Sequence, residues 1–291
     1  MNTDILGIVQ EKFPSFSKGQ RRIAQYIIDS YDKAAFLTAN KLGKTVGVSE
    51  STVVRFAVDL GFDGYPSMQK AMQEMVLNRL TSVQRIEVAN DRIGDQDVVT
   101  TVLQSDIEKL RLTAENLDRA DFQMAVNAIL DGKRIYILGV RSAAPLANFL
   151  GYYLNYMFHN VHVVTTSGAG EMFERIAGVT SEDVVIAFSF PRYSTATVKA
   201  TQYCRTTGAN VIAITDSRES PLVAGADHVI YAKSDMVSLV DSLVAPLSVV
   251  NALIVAIAAK REKELHRTFE TLERLWDQYH VYEKWDERNE I

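Results

Sequence analysis

Along the first eighty residues the apolar side chains recur at intervals of three and four, the period of a helix with one buried face. In SKGQRRIAQYIIDSY, Ser17 is placed to cap a helix whose Ile23, Tyr26, Ile27 and Tyr31 fall near one side, and a short turn around Asp32 follows. In TANKLGKTVGVSESTVVRFAVDLGF, Thr38 caps a second helix running to about Thr45. Gly47 permits a tight turn, Ser49 caps a third helix to about Leu60, and Gly61 ends it. The result is helix, tight turn, helix within some twenty residues, a unit used both as a packing corner and as a reader of the DNA major groove. Val53, Phe56, Ala57 and Leu60 have inward spacing, while Glu50, Ser51, Val54 and Asp59 point outward with Arg55 beside them.

From residue 133 the pattern changes. Short continuous apolar runs, RIYILG (134–139), VHVVT (161–165), VVIAFS (184–189), NVIAIT (210–215) and HVIYA (228–232), alternate with helix-length segments. Runs without polar alternation are strands buried on both faces, so the pattern predicts a five-stranded parallel sheet between two helical layers, an α/β/α sandwich. Ligands of such sheets sit beyond the carboxyl ends of the strands. Here those ends read GVRSAAP, TTSGAGE, SFPRYSTAT and TDSRESP. The expected organisation is an all-α domain at 1–80, a linker at 81–105, an α/β domain at 106–260 and a packing or dimerisation helix at 261–291. In that last helix Leu265, Phe269, Leu272, Leu275, Trp276 and Tyr279 recur at helical intervals, and Tyr282 and Trp285 extend the surface.

Composition narrows the function. The chain has 291 residues, 47% hydrophobic and 23% charged, in the range of globular proteins. The apolar run at 243–259 is interrupted by Pro246, Ser248 and Asn251 and is short of a bilayer span, which takes about 20 residues; it reads as a core helix, with no membrane partner. A single cysteine, Cys204, cannot form an internal disulfide, and no secretory signal opens the chain, so a cytoplasmic location is expected. The five histidines form no ligand set with acids or thiols, and neither a metal nor a cofactor is expected. Net charge is −5, but residues 1–80 hold ten Lys/Arg against eight Asp/Glu, so the helical domain is mildly basic within an acidic chain. Phosphate attraction depends on the local patch rather than on the total.

VGVSESTVVRFAVDLGFDGY at 46–65 resembles the helix-turn-helix of the RpiR/MurR family of bacterial transcription regulators. The segments ILGVRSAAPLANFL, VVIAFSFPRYSTATV, VIAITDSRESPL and ADHVI within 134–260 resemble the sugar isomerase (SIS) domain that follows it in that family. The resemblance implies a DNA-binding regulator whose second domain senses a phosphorylated sugar or sugar acid. Family SIS domains place a Ser in a Gly-containing loop after the first strand and an S-x-S-G-x-T loop after the third. Gly139 to Ser142 fits the first, with Arg141 added. In the second, Ser189 matches the first Ser and Ser194 takes the Thr position, but Pro191 stands for the second Ser and Arg192 for the Gly.

The candidate sites follow. Ser49, Glu50, Ser51, Thr52 and Arg55 are expected to approach a double-stranded DNA operator, with Lys18, Arg21, Arg22, Lys44 and Lys70 as backbone contacts. Arg141, Ser142, Ser189, Arg192, Tyr193, Ser194 and Thr195 form the candidate effector rim, joined by Ser238 and Ser242 ahead of the long apolar helix. An arginine fork grips phosphate or carboxylate, and free helix N–H groups favour an anion; the alternative role for each hydroxyl is helix capping. Ser167, Gly168 and Glu171 are weaker candidates. Symmetric operators imply a homodimer or homotetramer. Two further readings stay open: a sugar-phosphate isomerase with an accessory helical domain, using Glu171, Asp241 or His228 as acid or base, and a constitutive DNA-binding protein with an empty SIS domain.

Overall fold

The computed structural model describes residues 5–79, 83, 85, 86, 97–166, 168–236 and 240–283. The chain divides into two compact units, Met1–Ile107 with Asp235–Ser242, and Glu108–Ser234 with Leu243–Ile291.

The first unit is helical: α1 (Ile5–Lys12), α2 (Lys18–Asp29), α3 (Tyr31–Ala34), α4 (Ala39–Val46), α5 (Glu50–Asp59) and α6 (Tyr65–Arg79). Ser17 caps α2 through a full capping box with Gln20, in which each residue satisfies the other's backbone N–H. Tyr31 departs from the expected helix face: Ser30, at φ −145°, ends α2, and Tyr31 opens the separate short α3. Ile5, Val9, Ile23, Ile27, Leu42, Val53, Phe56, Met68 and Met72 are fully buried in one core, each apolar side chain adding roughly 1.5–3 kcal/mol of burial. Met236, from the separate stretch Asp235–Ser242, joins that core. The division between units falls within α7 (Val98–Asn116).

The second unit continues with α8 (Arg119–Asp131), β1 (Ile135–Gly139), α9 (Ala144–Leu154), β2 (Val161–Val164), α10 (Ala169–Ile176), β3 (Val184–Phe188), α11 (Thr195–Thr206), β4 (Asn210–Thr215), β5 (His228–Tyr231), α12 (Val244–Lys260) and α13 (Glu262–Gln278). The sheet is parallel, in the order β2-β1-β3-β4-β5. Alternate residues of β1 serve opposite faces: Ile135 and Ile137 pack with α8, α9 and α12, while Tyr136 and Leu138 pack with α10 and α11. That explains why the strands read as unbroken apolar runs. β1 begins one residue later than its apolar run because Arg134 is held outside it, bidentate to the fully buried Asp183 carboxylate at 2.6 and 2.8 Å. The apolar run at 243–259 becomes α12, which buries Ala245, Val249, Val250, Leu253 and Ile257 on one side. Among the described residues no single helix is long and apolar enough to cross a membrane.

Candidate functional sites: a helix-turn-helix face and a sheet rim

The turn between α4 and α5 is built by two glycines. Gly47 takes φ 72°, a left-handed conformation that an L side chain resists, and its neighbour Val48 donates its N–H to Gly43 O at 2.9 Å. A Cβ at Gly43 would stand 2.8 Å from Val48 O, so the two helices approach here only without a side chain. Ser49 then caps α5 by accepting from Thr52 N–H, and its Oγ lies 2.9 Å from Ser51 Oγ and 2.8 Å from Thr52 Oγ1. The buried set of α5 is Val53, Phe56 and Ala57, with Leu60 beyond, while Glu50, Ser51, Val54, Arg55 and Asp59 are exposed.

Lys18, Arg21, Arg22, Lys44 and Lys70 are all exposed in the same unit. Two of them also brace the fold: Arg21 donates to Pro14 O at 2.9 Å and Arg22 to Gly47 O at 3.3 Å. Arg55 reaches back to Ser51 O at 3.3 Å, which holds its guanidinium near the start of its own helix. Sequence reasoning missed Asn40, whose amide donates to Glu50 Oε2 at 3.0 Å and ties α4 to the first turn of α5. No residue type or spacing signals such a cross-helix bond.

In the second unit β1 and β3 are neighbours although their helices α9 and α11 leave in different layers, so the sheet reverses its winding between them. That switch point is where a crevice opens in doubly wound sheets. Gly139 and Phe188 pair at the carboxyl ends, and the loops Val140–Ala143 and Ser189–Ser194 follow directly. Both arginines of these loops hold left-handed backbones, Arg141 at φ 56° and Arg192 at φ 64°, and both are exposed. Ser142 is exposed too and caps nothing, because α9 starts without a side-chain cap.

The hydroxyls of the β3 loop are engaged in holding its shape. Ser189 is buried, and its Oγ accepts from Ser194 N–H at 3.2 Å. Ser194 caps α11 by accepting from Thr197 N–H, leaving Thr195 exposed at the first helical position. Thr215 at the end of β4 donates to Ser189 O at 2.7 Å, and its Oγ1 also lies 2.7 Å from Ser220 Oγ. Tyr193 donates to Asp216 Oδ1 at 2.8 Å. Burial, followed by the Asp216 charge, pushes the Tyr193 hydroxyl far above its usual range, so it remains a neutral donor.

Ser242 belongs to the first unit and donates to Asp106 Oδ1 at 2.6 Å, and Ser238 and Ser167 lie outside the described residues. Glu171 accepts from Thr166 Oγ1 at 2.6 Å. Asp241 pairs with Arg85 at 2.8 Å in the first unit. His228 opens β5, at the amino end of the sheet opposite the rim, with Nδ1 3.2 Å from Asp121. No cluster of three His, Cys, Asp or Glu able to hold a metal ion occurs among the described residues.

Comparison with known proteins agrees with both halves. The helix-turn-helix domain of the rpiR family matches residues 3–78, and the SIS domain matches residues 128–256. An uncharacterized HTH-type transcriptional regulator of Caldanaerobacter subterraneus subsp. tengcongensis is 24% identical over 280 residues, covering 92% of this chain and 95% of that protein. The sugar isomerase domain of an RpiR transcription factor from Sphaerobacter thermophilus is 30% identical with a TM-score of 0.59, over 62% of this chain and 99% of that one. The NanR protein of Vibrio vulnificus, solved in complex with ManNAc-6P, shares the fold at 19% identity and a TM-score of 0.59, over 94% of this chain and 98% of that one. With the rpiR-family helix-turn-helix preceding a SIS domain, the chain is a transcription regulator of the RpiR family.

Proposed function

We propose that the protein binds a double-stranded operator through α5 and adjusts that binding when a phosphorylated sugar or sugar acid occupies the rim of its SIS domain. The observation that carries the reading is the first turn of α5. Glu50 and Ser51 are exposed there, with Arg55 one turn on, on a helix clamped by the Gly43–Val48 approach, and Lys18, Arg21, Arg22, Lys44 and Lys70 are exposed in the same unit. Ser49 and Thr52 approach phosphates or base edges, and Arg55, Lys44, Lys18, Arg21 and Arg22 contact the DNA backbone. Residues 1–80 act as the DNA-binding domain, 81–105 as connection, 106–260 as sensor and 261–291 as a packing or dimerisation helix. In support of the last, α13 buries none of its residues completely, and Leu265, Phe269, Leu272 and Trp276 remain half-covered.

The effector contacts are Arg141, Ser142, Arg192 and Thr195, with Ser189, Tyr193 and Ser194 shaping the loop between them. The ManNAc-6P held by a protein of the same fold supports a phosphosugar as effector class. A ligand that binds two dimer geometries unequally shifts the separation of two DNA-reading helices, which is all that regulation requires. The isomerase reading needs an acid or base at the rim. Of its three candidates Asp241 is committed to Arg85 and His228 lies at the opposite end of the sheet, which leaves Glu171 alone, bonded to Thr166, and favours sensing over turnover.

A gel shift or footprint on the promoters neighbouring the protein's own coding sequence, over a range of salt, tests the first half. Retention that weakens steeply with salt supports operator binding, and its absence, or indifference to salt, overturns it.

A further inference from the structure

We infer, on the operator-binding reading above, that Val54 and Val58 of α5 select thymine in the operator by packing against its C5-methyl group.

Two stripes divide α5. Val53, Phe56, Ala57 and, at the C-cap, Leu60 are buried, while Ser51, Val54, Arg55 and Val58 are exposed. Both sets follow the spacing i, i+3, i+4, i+7, and a shift of two residues turns the second about 200° around the helix, opposite the core. Among the described side chains of residues 5–79, Val54 at 38% and Val58 at 52% are the large apolar groups left exposed. The helical unit thus covers its apolar groups elsewhere and presents two of them, one turn apart, on the outward ridge of α5.

The acids of α5 are bonded at its flanks. Glu50 accepts from the Asn40 amide of α4 at 3.0 Å, and the Asp59 carboxylate accepts from the Gln20 amide of α2. The Asp59 carbonyl also accepts from Lys12 Nζ at 2.8 Å. The ridge itself carries one hydroxyl, one guanidinium and two pairs of branched methyl groups, with no carboxylate to repel a phosphate.

In the major groove every base presents hydrogen-bonding atoms, and thymine alone adds a methyl group. Valine has neither donor nor acceptor. Against any other base edge it strips water from polar atoms and returns no bond. Against the thymine methyl it buries apolar surface on both sides. Ser51 and Arg55, on the same ridge, supply the polar contacts that fix the register.

The experiment is a gel shift, at one fixed salt concentration, on two copies of the promoter fragment that precedes the protein's own coding sequence. One copy is synthesised with thymidine triphosphate and the other with deoxyuridine triphosphate, which removes the methyl and keeps every hydrogen-bonding atom of the base. Wild type is expected to bind the thymine copy more tightly, by about fourfold for each methyl covered. Val54→Ala and Val58→Ala are each expected to shrink that ratio, and the double variant to shrink it further, at a nearly unchanged melting temperature because both positions are exposed. Lys18→Ala, which removes a backbone contact, is expected to keep the ratio. Equal binding of the two copies by wild type, or a ratio that survives the double variant, overturns the inference and leaves operator binding intact. A surviving ratio joined to slower sedimentation of the double variant assigns the valines instead to a contact between copies of the chain. Retention of neither copy overturns this inference and the operator-binding reading together.

Discussion

The hydroxyl of Tyr193 donates to Asp216 at 2.8 Å, and this bond joins the loop beyond β3 to the end of β4. A side chain that reads as a ligand contact in sequence thereby braces the loop beyond β3. Tyr193→Phe is expected to cost about 0.5–1.5 kcal/mol in urea denaturation and to weaken effector binding through loop mobility. An unchanged denaturation midpoint would show that the bond contributes nothing to the fold.

Gly43→Ala tests the turn that presents α5. Its Cβ meets Val48 O at 2.8 Å and lies 3.4 Å from Glu50 N, both backbone atoms that cannot rotate away. The expected loss is about 1–3 kcal/mol, and the gel shift should weaken more than Lys70→Ala weakens it, because α5 is displaced rather than one contact removed.

Ser49→Ala removes the cap of α5 and is expected to cost about 1 kcal/mol in thermal denaturation. Arg55→Ala and Lys44→Ala, on exposed positions, should leave the melting temperature nearly unchanged. Each is expected to lower the slope of log affinity against log salt by about 0.9 where a phosphate contact is lost. A full-length slope in both variants removes them from the interface.

Burial alone would raise the Asp183 carboxyl, but the Arg134 guanidinium and the Thr180 N–H and hydroxyl outweigh it and hold the group below its ordinary 3.8. A carboxylate depressed in the folded state stabilises the fold above the unfolded value and loses that contribution as pH falls through the folded one. Wild-type stability is therefore expected to decline below about pH 4 more steeply than that of Asp183→Asn. The variant should be less stable by about 1–3 kcal/mol at pH 7, where it takes the carboxylate charge away from Arg134. Parallel melting curves of the two proteins from pH 7 to 3 check both statements.

Arg85 is 3% exposed and its Asp241 partner 13%, so removing either leaves a poorly solvated charge. Arg85→Met or Asp241→Leu alone is expected to cost about 3–5 kcal/mol, and the double variant less than the sum. A strictly additive double-mutant cycle would show that the pair is not coupled.

Much of this architecture was legible in the residues. Each expected strand formed within a residue or two of its apolar run, NVIAIT matching β4 residue for residue, because burial on both faces leaves no polar alternation to blur the ends. Thr38, Ser49 and Ser17 cap the helices they precede, since a cap is a bond over three residues. Tyr31 was misassigned to α2 because its spacing is helical although Ser30 breaks the chain, and a backbone break at a serine leaves no trace in periodicity.

The rim shows where local reading ends. Sequence by itself determined that hydroxyls and two arginines gather at the carboxyl ends of β1 and β3, because apolar runs and intervening helices settle strand direction and topology follows from crossover geometry. Which hydroxyls remain available was decided only by tertiary structure. Ser189 is consumed by Ser194 N–H, Ser194 by its own helix and Ser242 by Asp106, while Ser142 stays exposed. The left-handed backbones of Arg141 and Arg192 were equally invisible, since arginine, unlike glycine or asparagine, does not announce a positive φ. Period and capping act over four residues and can be read from a line of letters; burial and partner choice depend on strands fifty residues apart meeting in one sheet.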